Sequence, residues 1–405
     1  MSENLDIHTV WTLLVGLAII ASGLIEAGFK QLRIPALVGY ILLGILLNVV
    51  DRYWSLLTGP TRNAFSFLAD IGVIALLFQV GLQSHPQALL KKLPQAMKVW
   101  MGDVGGSALI GFAVSYYVVA LPLIPSLIVA TALTATSVGV SVSAWQSQNA
   151  LSSDNGRLLL DVAELDDISA VVLMGLLFVL VTTLHGEQEG IVSLLTVTGV
   201  TFVVKFALFI GLCFLFSRFA EPTITQFTAQ LEPAPQLMLT VVGIGFIIAA
   251  FANWLGFSLA IGALFAGLVF SRDPEAVKTK NSFKDIYAFV TPFFFINIGM
   301  HVNPEQVGAG AVLGLVLLIA AVAGKVLGAG TPTLILGGAT SATLIGVSMV
   351  PRAEIAMIVV HQAQQLGDWA MPERIYTAMV FVTMVTCIGA PFVLYRLLHR
   401  WPQKQ

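Results

Sequence analysis

The amino-acid sequence predicts an all-α polytopic membrane protein of thirteen transmembrane helices, built as two inverted six-helix repeats around a linking helix. Three observations carry this. Hydrophobic residues fill 57% of the 405 positions and charged residues only 10%, where a soluble domain holds about a quarter charged residues. Polar and Pro/Gly punctuation divides the chain into thirteen apolar segments, most near the ~20 residues that a helix needs to cross the hydrocarbon core. Stretches of the first half reappear seven segments later, an odd number, so the two copies must run through the bilayer in opposite directions. A mean hydropathy of +0.89 excludes a soluble fold. A net charge of -2 with scattered basic residues excludes nucleic acid as a partner.

The segments fall at 9–30, 35–50, 64–84, 95–120, 124–148, 156–184, 191–218, 234–254, 257–271, 285–301, 308–330, 333–364 and 374–398. The first repeat takes residues 1–184, the linking helix 191–218 and the second repeat 234–400. Segments two and nine are short, which tilting or local thinning accommodates. The stretch Met1 to His8 is acidic and lacks a basic n-region, so the first segment reads as a helix and not as a cleaved leader. An odd number of crossings puts the termini on opposite sides. Placing the N-terminus outside gathers fourteen Lys and Arg inside, among them Lys30, Arg33, Lys91, Lys92, Arg272, Lys278, Lys280 and Lys404. Only Arg52, Arg62 and Arg374 then lie outside, and Lys205, Lys325 and Arg352 lie within segments. That bias predicts a cytoplasmic C-terminus. Cys213 and Cys387 both sit in apolar segments, where a thiol acts as a small hydrophobe.

The repeat is read from two alignments. Pro35-Ala-Leu-Val-Gly39-Tyr-Ile-Leu-Leu-Gly44 matches Ser258-Leu-Ala-Ile-Gly262-Ala-Leu-Phe-Ala-Gly267, and Phe78-Gln-Val-Gly81-Leu-Gln83 matches Ile296-Asn-Ile-Gly299-Met-His301. Coincidence among Gly-rich apolar helices is the alternative, since membrane segments share a restricted alphabet. Inverted repeats are common in secondary transporters, which bind their ions near the midplane on interrupted helices. Segment five carries Thr131-Ala-Leu-Thr-Ala-Thr136-Ser137-Val-Gly139-Val-Ser141-Val-Ser143, and segment twelve carries Ser348-Met-Val-Pro351-Arg352-Ala-Glu354. Pro351 has no amide hydrogen to donate and crowds the preceding turn, so its helix should open there. Arg352 and Glu354 would offset the exposed dipole ends, either beside an ion or purely as support for the break. The hydroxyls either face an ion or bond back to their own helix.

Segment six contains Glu164-Leu165-Asp166-Asp167 inside apolar flanks. A charge in hydrocarbon costs several kcal/mol, so adjacent carboxylates persist there where water, a cation or a base reaches them. Burial and mutual repulsion both favour protonation of such carboxylates. A group that holds a hard cation when ionised and a proton otherwise is itself an exchange device. Lys325, in Gly324-Lys325-Val326-Leu327-Gly328, is the cationic partner expected for Asp166, with snorkelling as the alternative. Glu26, Asp103, Asn253 and Lys205 read first as structural pairs and second as the lining of an entry funnel. The histidines His85, His185, His301, His361 and His399 mostly sit near helix ends and read as solvated interface positions.

Together RIPALVGYILLG, LADIGVIALLFQVGL, TATSVG, ELDD, GFSLAIGALFAG, PFFFINIGM, the Gly324-Lys325 pair and MVPRAE resemble the monovalent cation:proton antiporter-2 family over nearly the whole chain. The resemblance implies a core domain with two crossing broken helices, the fifth and twelfth, beside a dimerisation domain, and a homodimer in a prokaryotic inner or plasma membrane. It implies exchange of Na+ or Li+ for H+ by alternating access, with no enzymatic activity and no cofactor; electrogenic exchange, two protons for one sodium ion, is expected from a Lys325–Asp166 ion pair that arriving sodium breaks. Asp167 takes the position of the principal ion and proton carrier and Asp166 that of the carboxylate paired with Lys325. Thr136 and Ser137 match the hydroxyls beside the ion, so that Asp166 and Asp167 with Thr136 and Ser137 form the expected Na+ site. Arg352 and Glu354 match the charged pair at the second break. Glu164 stands where a small apolar residue is expected and, three residues before Asp167, is a candidate accessory acid. Ala353 stands where a glycine is expected. Relatives that append a cytosolic nucleotide-binding domain set the further expectation that this chain has none. A potassium/proton exchanger on the same fold is the alternative, followed by a passive cation channel. An intramembrane aspartyl protease would need its carboxylates on separate helices, one of them in a Gly-x-Gly-Asp setting, which this sequence lacks.

Overall fold

The structure, a computed structural model, describes residues 7–54, 59–84, 93–186, 191–230, 236–271 and 276–403. Lys91, Lys92, Arg272, Lys404 and His85 lie outside the described residues. Among those described, the helices are α1 Ile7–Leu32, α2 Ala36–Trp54, α3 Gly59–Gln83, α4 Leu93–Ala113, α5 Leu123–Thr134, α6 Val138–Ser147, α7 Asp154–Gly186 and α8 Ile191–Leu215. They continue as α9 Glu221–Gln230, α10 Gln236–Trp254, α11 Leu259–Phe270, α12 Ala276–Met300, α13 Val307–Ser348, α14 Glu354–Gln365 and α15 Glu373–Arg400. Single π-helical turns, Val114–Val118 and Phe216–Ala220, extend α4 and join α8 to α9.

These make thirteen membrane segments. α5 and α6 are the halves of the fifth, α8 with α9 is the seventh, and α13 contains both the eleventh and the first half of the twelfth, completed by α14. Among the described residues, eight helical spans are long and apolar enough to cross a membrane by length and composition alone. Others fall short for a readable reason: α11 has only 12 residues, and α4 carries Lys98 and Asp103 inside its apolar run. α11 can be short because it is enclosed by protein, with Ala260, Ile261, Ala263, Leu264 and Ala266 fully buried.

The boundary between segments eleven and twelve differs from the sequence expectation. Pro332 sits inside α13, and the chain reverses at Gly338, whose φ of 79° and ψ of -179° interrupt the helix. Gly330 lies against Ala342 and Gly346 against Val326, so the stretches before and after Gly338 pack as an antiparallel hairpin. Proline is tolerated in a membrane helix when neighbours re-satisfy the backbone. The positive φ is the feature that turns the chain, and glycine adopts it without a Cβ clash.

Helices α1, α2, α3, α10, α11 and α12 pack into one bundle, and α4 to α7 with α13 to α15 into a second. Within the first bundle the repeat appears as paired backbone contacts. A Cβ on Gly44 would come within 2.9 Å of the Gly299 Cα, and one on Gly81 within 2.9 Å of the Gly267 Cα. Under the sequence alignment Gly44 corresponds to Gly267 and Gly81 to Gly299, so each crossing is the symmetry mate of the other. Small residues let membrane helices approach this closely. The linking helix α8 leans on α11 through Phe206 and Phe209, whose rings meet Phe265 at 5.6 Å.

Polar contacts mark the two ends of the molecule. At one end Arg33 lies 5.4 Å from the Tyr395 ring, and Asn155 donates to Gln403 Oε1 at 2.8 Å. At the other, Arg52 pairs with Glu305 at 2.6 Å, and Asn303 donates to Glu373 at 2.7 Å.

Candidate functional site at the crossing of two broken helices

Both interruptions lie in the second bundle and meet each other. α5 stops at Thr134, and Ala135 and Ser137 take extended conformations before α6 begins. The second gap runs from Met349 to Ala353, where Pro351 withholds a backbone donor. The exposed backbone is satisfied across the crossing. Ser137 donates its N–H to the Pro351 carbonyl at 2.8 Å, and Thr136 Oγ1 donates to the Met349 carbonyl at 3.3 Å. Ser141 donates to the Ser348 carbonyl at 2.6 Å, and Trp145 Nε1 to Ser348 Oγ at 2.9 Å. Of the hydroxyls, Thr134 and Ser143 bond back to their own helices, while Thr136, Ser137 and Ser141 bond to the opposite broken helix.

Fixed charges complement the four helix ends. The last carbonyls of α5 and α13 carry negative dipole ends, and each meets a fully buried cation. Lys325 Nζ donates to the Thr134 carbonyl at 2.5 Å. Arg352 Nη1 donates to the carbonyls of Met349 at 2.9 Å and Val350 at 3.1 Å. The positive N-terminal ends of α6 and α14 share one anion, because Glu354 in the first turn of α14 accepts a 2.8 Å bond from Ser137 Oγ, the residue preceding α6. α15 supports the gap through Thr386, which accepts from the Arg352 amide at 3.1 Å, and Cys387, whose Sγ lies 3.0 Å from the Arg352 carbonyl.

The acidic pair enters from α7. Asp166 is fully buried, and its Oδ1 lies 3.6 Å from Lys325 Nζ. Asp167 and Glu164, one turn apart on α7, are half-buried. The closest carboxylate to Lys325 is that of Asp103 on α4, at 2.5 Å. Asp103, read from sequence only as one of several intramembrane polar residues, thus joins the centre that Asp166 and Lys325 define.

The profile of the family described as "Sodium/hydrogen exchanger, transmembrane" matches residues 16–400. The chain belongs to this family. It is a cation/proton antiporter, a secondary transporter and not an enzyme. The chain is 26% identical over 372 residues to the Na(+)/H(+)-K(+) antiporter GerN of Bacillus cereus, covering 91% of this chain and 92% of that one. It is 26% identical over 338 residues to the high-affinity Na(+)/H(+) antiporter NhaS3 of Synechocystis, covering 81% of this chain and 70% of that one. Among solved structures, the sodium proton antiporter MjNhaP1 of Methanocaldococcus jannaschii superposes with a TM-score of 0.70 at 13% identity, over 98% of this chain and 99% of that one. The fold of the antiporter is therefore the NhaP1 fold over its full length.

A crevice of about 380 Å³ separates the two bundles of the antiporter. Asp70, Asn253 and Ser258 line it from the first bundle, and His361, Gln362 and Gln365 from α14. Since α14 ends and α15 begins at the end marked by Glu305 and Glu373, the crevice belongs to that end. His361 departs from the interface position expected of it. It is buried, with Nε2 3.3 Å from the Asn297 amide nitrogen and its ring 5.1 Å from that of His301. His185 is exposed and stacks on Trp369 at 3.7 Å.

Proposed function

We propose that the antiporter exchanges sodium for protons, with lithium as a second accepted ion, on a site formed by Asp166 and Asp167 with Thr136 and Ser137. The observation that carries this reading is the meeting of two interrupted helices beside the buried Asp166 and half-buried Asp167, where carboxylates, hydroxyls and the carbonyls of the two gaps offer hard oxygen ligands. Asp167, half-buried on α7, is the carrier: ionised it holds the cation, neutral it holds a proton. Glu164, one turn away, is an accessory acid. Arg352 and Glu354 hold the gap open by compensating its helix ends. The charge pattern and the ELDD and PRxE motifs favour the antiporter-2 branch of the family.

Exchange is electrogenic in this reading, two protons for one sodium ion. One proton leaves Asp167, and the second leaves the cluster of Lys325 with its two aspartates as the cation reaches them. Alternating access follows from the two bundles: the second, which carries the crossing, moves against the first, which forms the interface of a homodimer, with α8 as the link. The division at 1–184, 191–218 and 234–400 follows the repeat. The N-terminus lies outside and the C-terminus in the cytoplasm of a prokaryotic plasma membrane. A potassium/proton exchanger is the second reading, favoured by the resemblance to GerN, whose name includes potassium. Proton flux in proteoliposomes driven in turn by sodium, lithium and potassium gradients tests the choice. Sodium and lithium should drive flux with a reversal potential for two protons per cation; flux driven by potassium alone would replace the reading with the second.

A further inference from the structure

Three fully buried charged groups meet beside the first helix break: Asp103, Asp166 and Lys325. An ammonium has three donors. Lys325 spends two of them in directed bonds of 2.5 Å, to Asp103 Oδ2 and to the Thr134 carbonyl. Asp166 Oδ1 lies at 3.6 Å, beyond hydrogen-bond length. Neither oxygen of Asp166 has a hydrogen-bond partner among the described residues. A buried carboxylate so left is costly unless a proton or cation completes it.

The asymmetry is built into the backbone. α4 and α13 touch through glycines on both sides: a Cβ on Gly102 would lie 2.5 Å from the Gly328 carbonyl oxygen, one on Gly106 2.7 Å from the Gly328 Cα, and one on Gly328 2.6 Å from the Gly102 carbonyl oxygen. Asp103 follows Gly102 and Lys325 follows Gly324, so this backbone-to-backbone crossing fixes how closely the two side chains approach. Asp166 stands on a different helix, α7.

We propose that Asp103 is a positioning residue that holds the Lys325 ammonium off Asp166 and so leaves Asp166 open to the transported cation. This rests on the reading of Asp166 and Asp167 as cation ligands. Without Asp103, the ammonium keeps Thr134 and turns to Asp166, the carboxylate already 3.6 Å away. A lysine needs to move its nitrogen by less than 1 Å, roughly, to convert the present separation into a charge-assisted bond. Sodium must then displace a short charge-assisted hydrogen bond, where the wild type holds the two groups only as a 3.6 Å ion pair.

The test is sodium binding to the detergent-purified protein by titration calorimetry, together with sodium-driven proton flux in proteoliposomes. Asp103→Asn should weaken sodium binding about tenfold, a coupling within the range of contacting residues, and raise KM for sodium more than it lowers kcat. The loss should shrink to about twofold when Asp103→Asn is made beside Lys325→Gln, because no ammonium remains to be released. Unchanged sodium affinity in Asp103→Asn, or an equal loss in both backgrounds, overturns the proposal. If Asp103→Asn alone does not fold, the Lys325→Gln protein and the double variant still decide: affinities within about twofold support it, and a tenfold difference overturns it. A wild type that neither binds nor exchanges sodium defeats the reading of the aspartate pair, an outcome distinct from a sodium-binding wild type with an indifferent Asp103→Asn.

Discussion

Lys325 and Arg352 are both fully buried, yet their surroundings differ in a way that bears on transport. Arg352 donates through Nη1 to the carbonyls of its own gap and through Nη2 to that of Ala321, so it ends a helix. Lys325 ends α5 and also faces two carboxylates, so its charge is linked to the acidic pair. In the proposed cycle, Lys325→Gln leaves at most a one-for-one, electrically silent exchange. Current on solid-supported membranes and the reversal potential, wild type beside variant, check this; an unchanged current and coupling ratio would make the lysine a structural partner only. The residues at the crossing were legible because intramembrane charges and hydroxyls stand out against an apolar background. Asp103 was visible for the same reason, within Gly102-Asp103-Val104-Gly105-Gly106-Ser107. Its partner was not, since that depends on which face of α4 meets α13, and the glycine contact that decides it joins residues more than two hundred positions apart.

At the scale of elements, the prolines show what sequence conveys and what it does not. Pro292, Pro332 and Pro391 all lie within helical stretches, whereas Pro351 lies in a gap. A proline removes one hydrogen bond and a neighbour can replace it. A gap needs partners for several groups at once, and at Pro351 the first broken helix supplies them. The fifth segment opens without any proline, and its cluster of Thr, Ser and Gly was the signal. The hairpin between segments eleven and twelve was misplaced by several residues because Thr331-Pro332 looked like punctuation, while the turn depends on the backbone of Gly338. Gly338→Ala forces a Cβ into a conformation that essentially glycine alone adopts and should cost about 1–3 kcal/mol. A lowered Tm in detergent, with sodium affinity retained, is the expected result; an unchanged Tm would mean that the reversal tolerates a side chain.

For the whole molecule, the sequence alignment relates the Gly44–Gly299 crossing to the Gly81–Gly267 crossing, contacts seen only in the structure, and both broken helices lie in one bundle. The proposed membrane sidedness rests on a different kind of evidence, the distribution of Lys and Arg. In a variant lacking Cys213 and Cys387, a cysteine at Gln405 should react with an impermeant maleimide only after lysis; labelling of intact cells would reverse the orientation. Alternating access requires that the crossing, and not some other path, carries the ions. Asp167→Asn tests this most directly, because the amide keeps the shape of the side chain but cannot alternate between proton and cation. Sodium-driven proton flux in proteoliposomes should vanish in this variant while the protein remains folded and of unchanged mass in mild detergent. Flux at the wild-type rate would contradict the account.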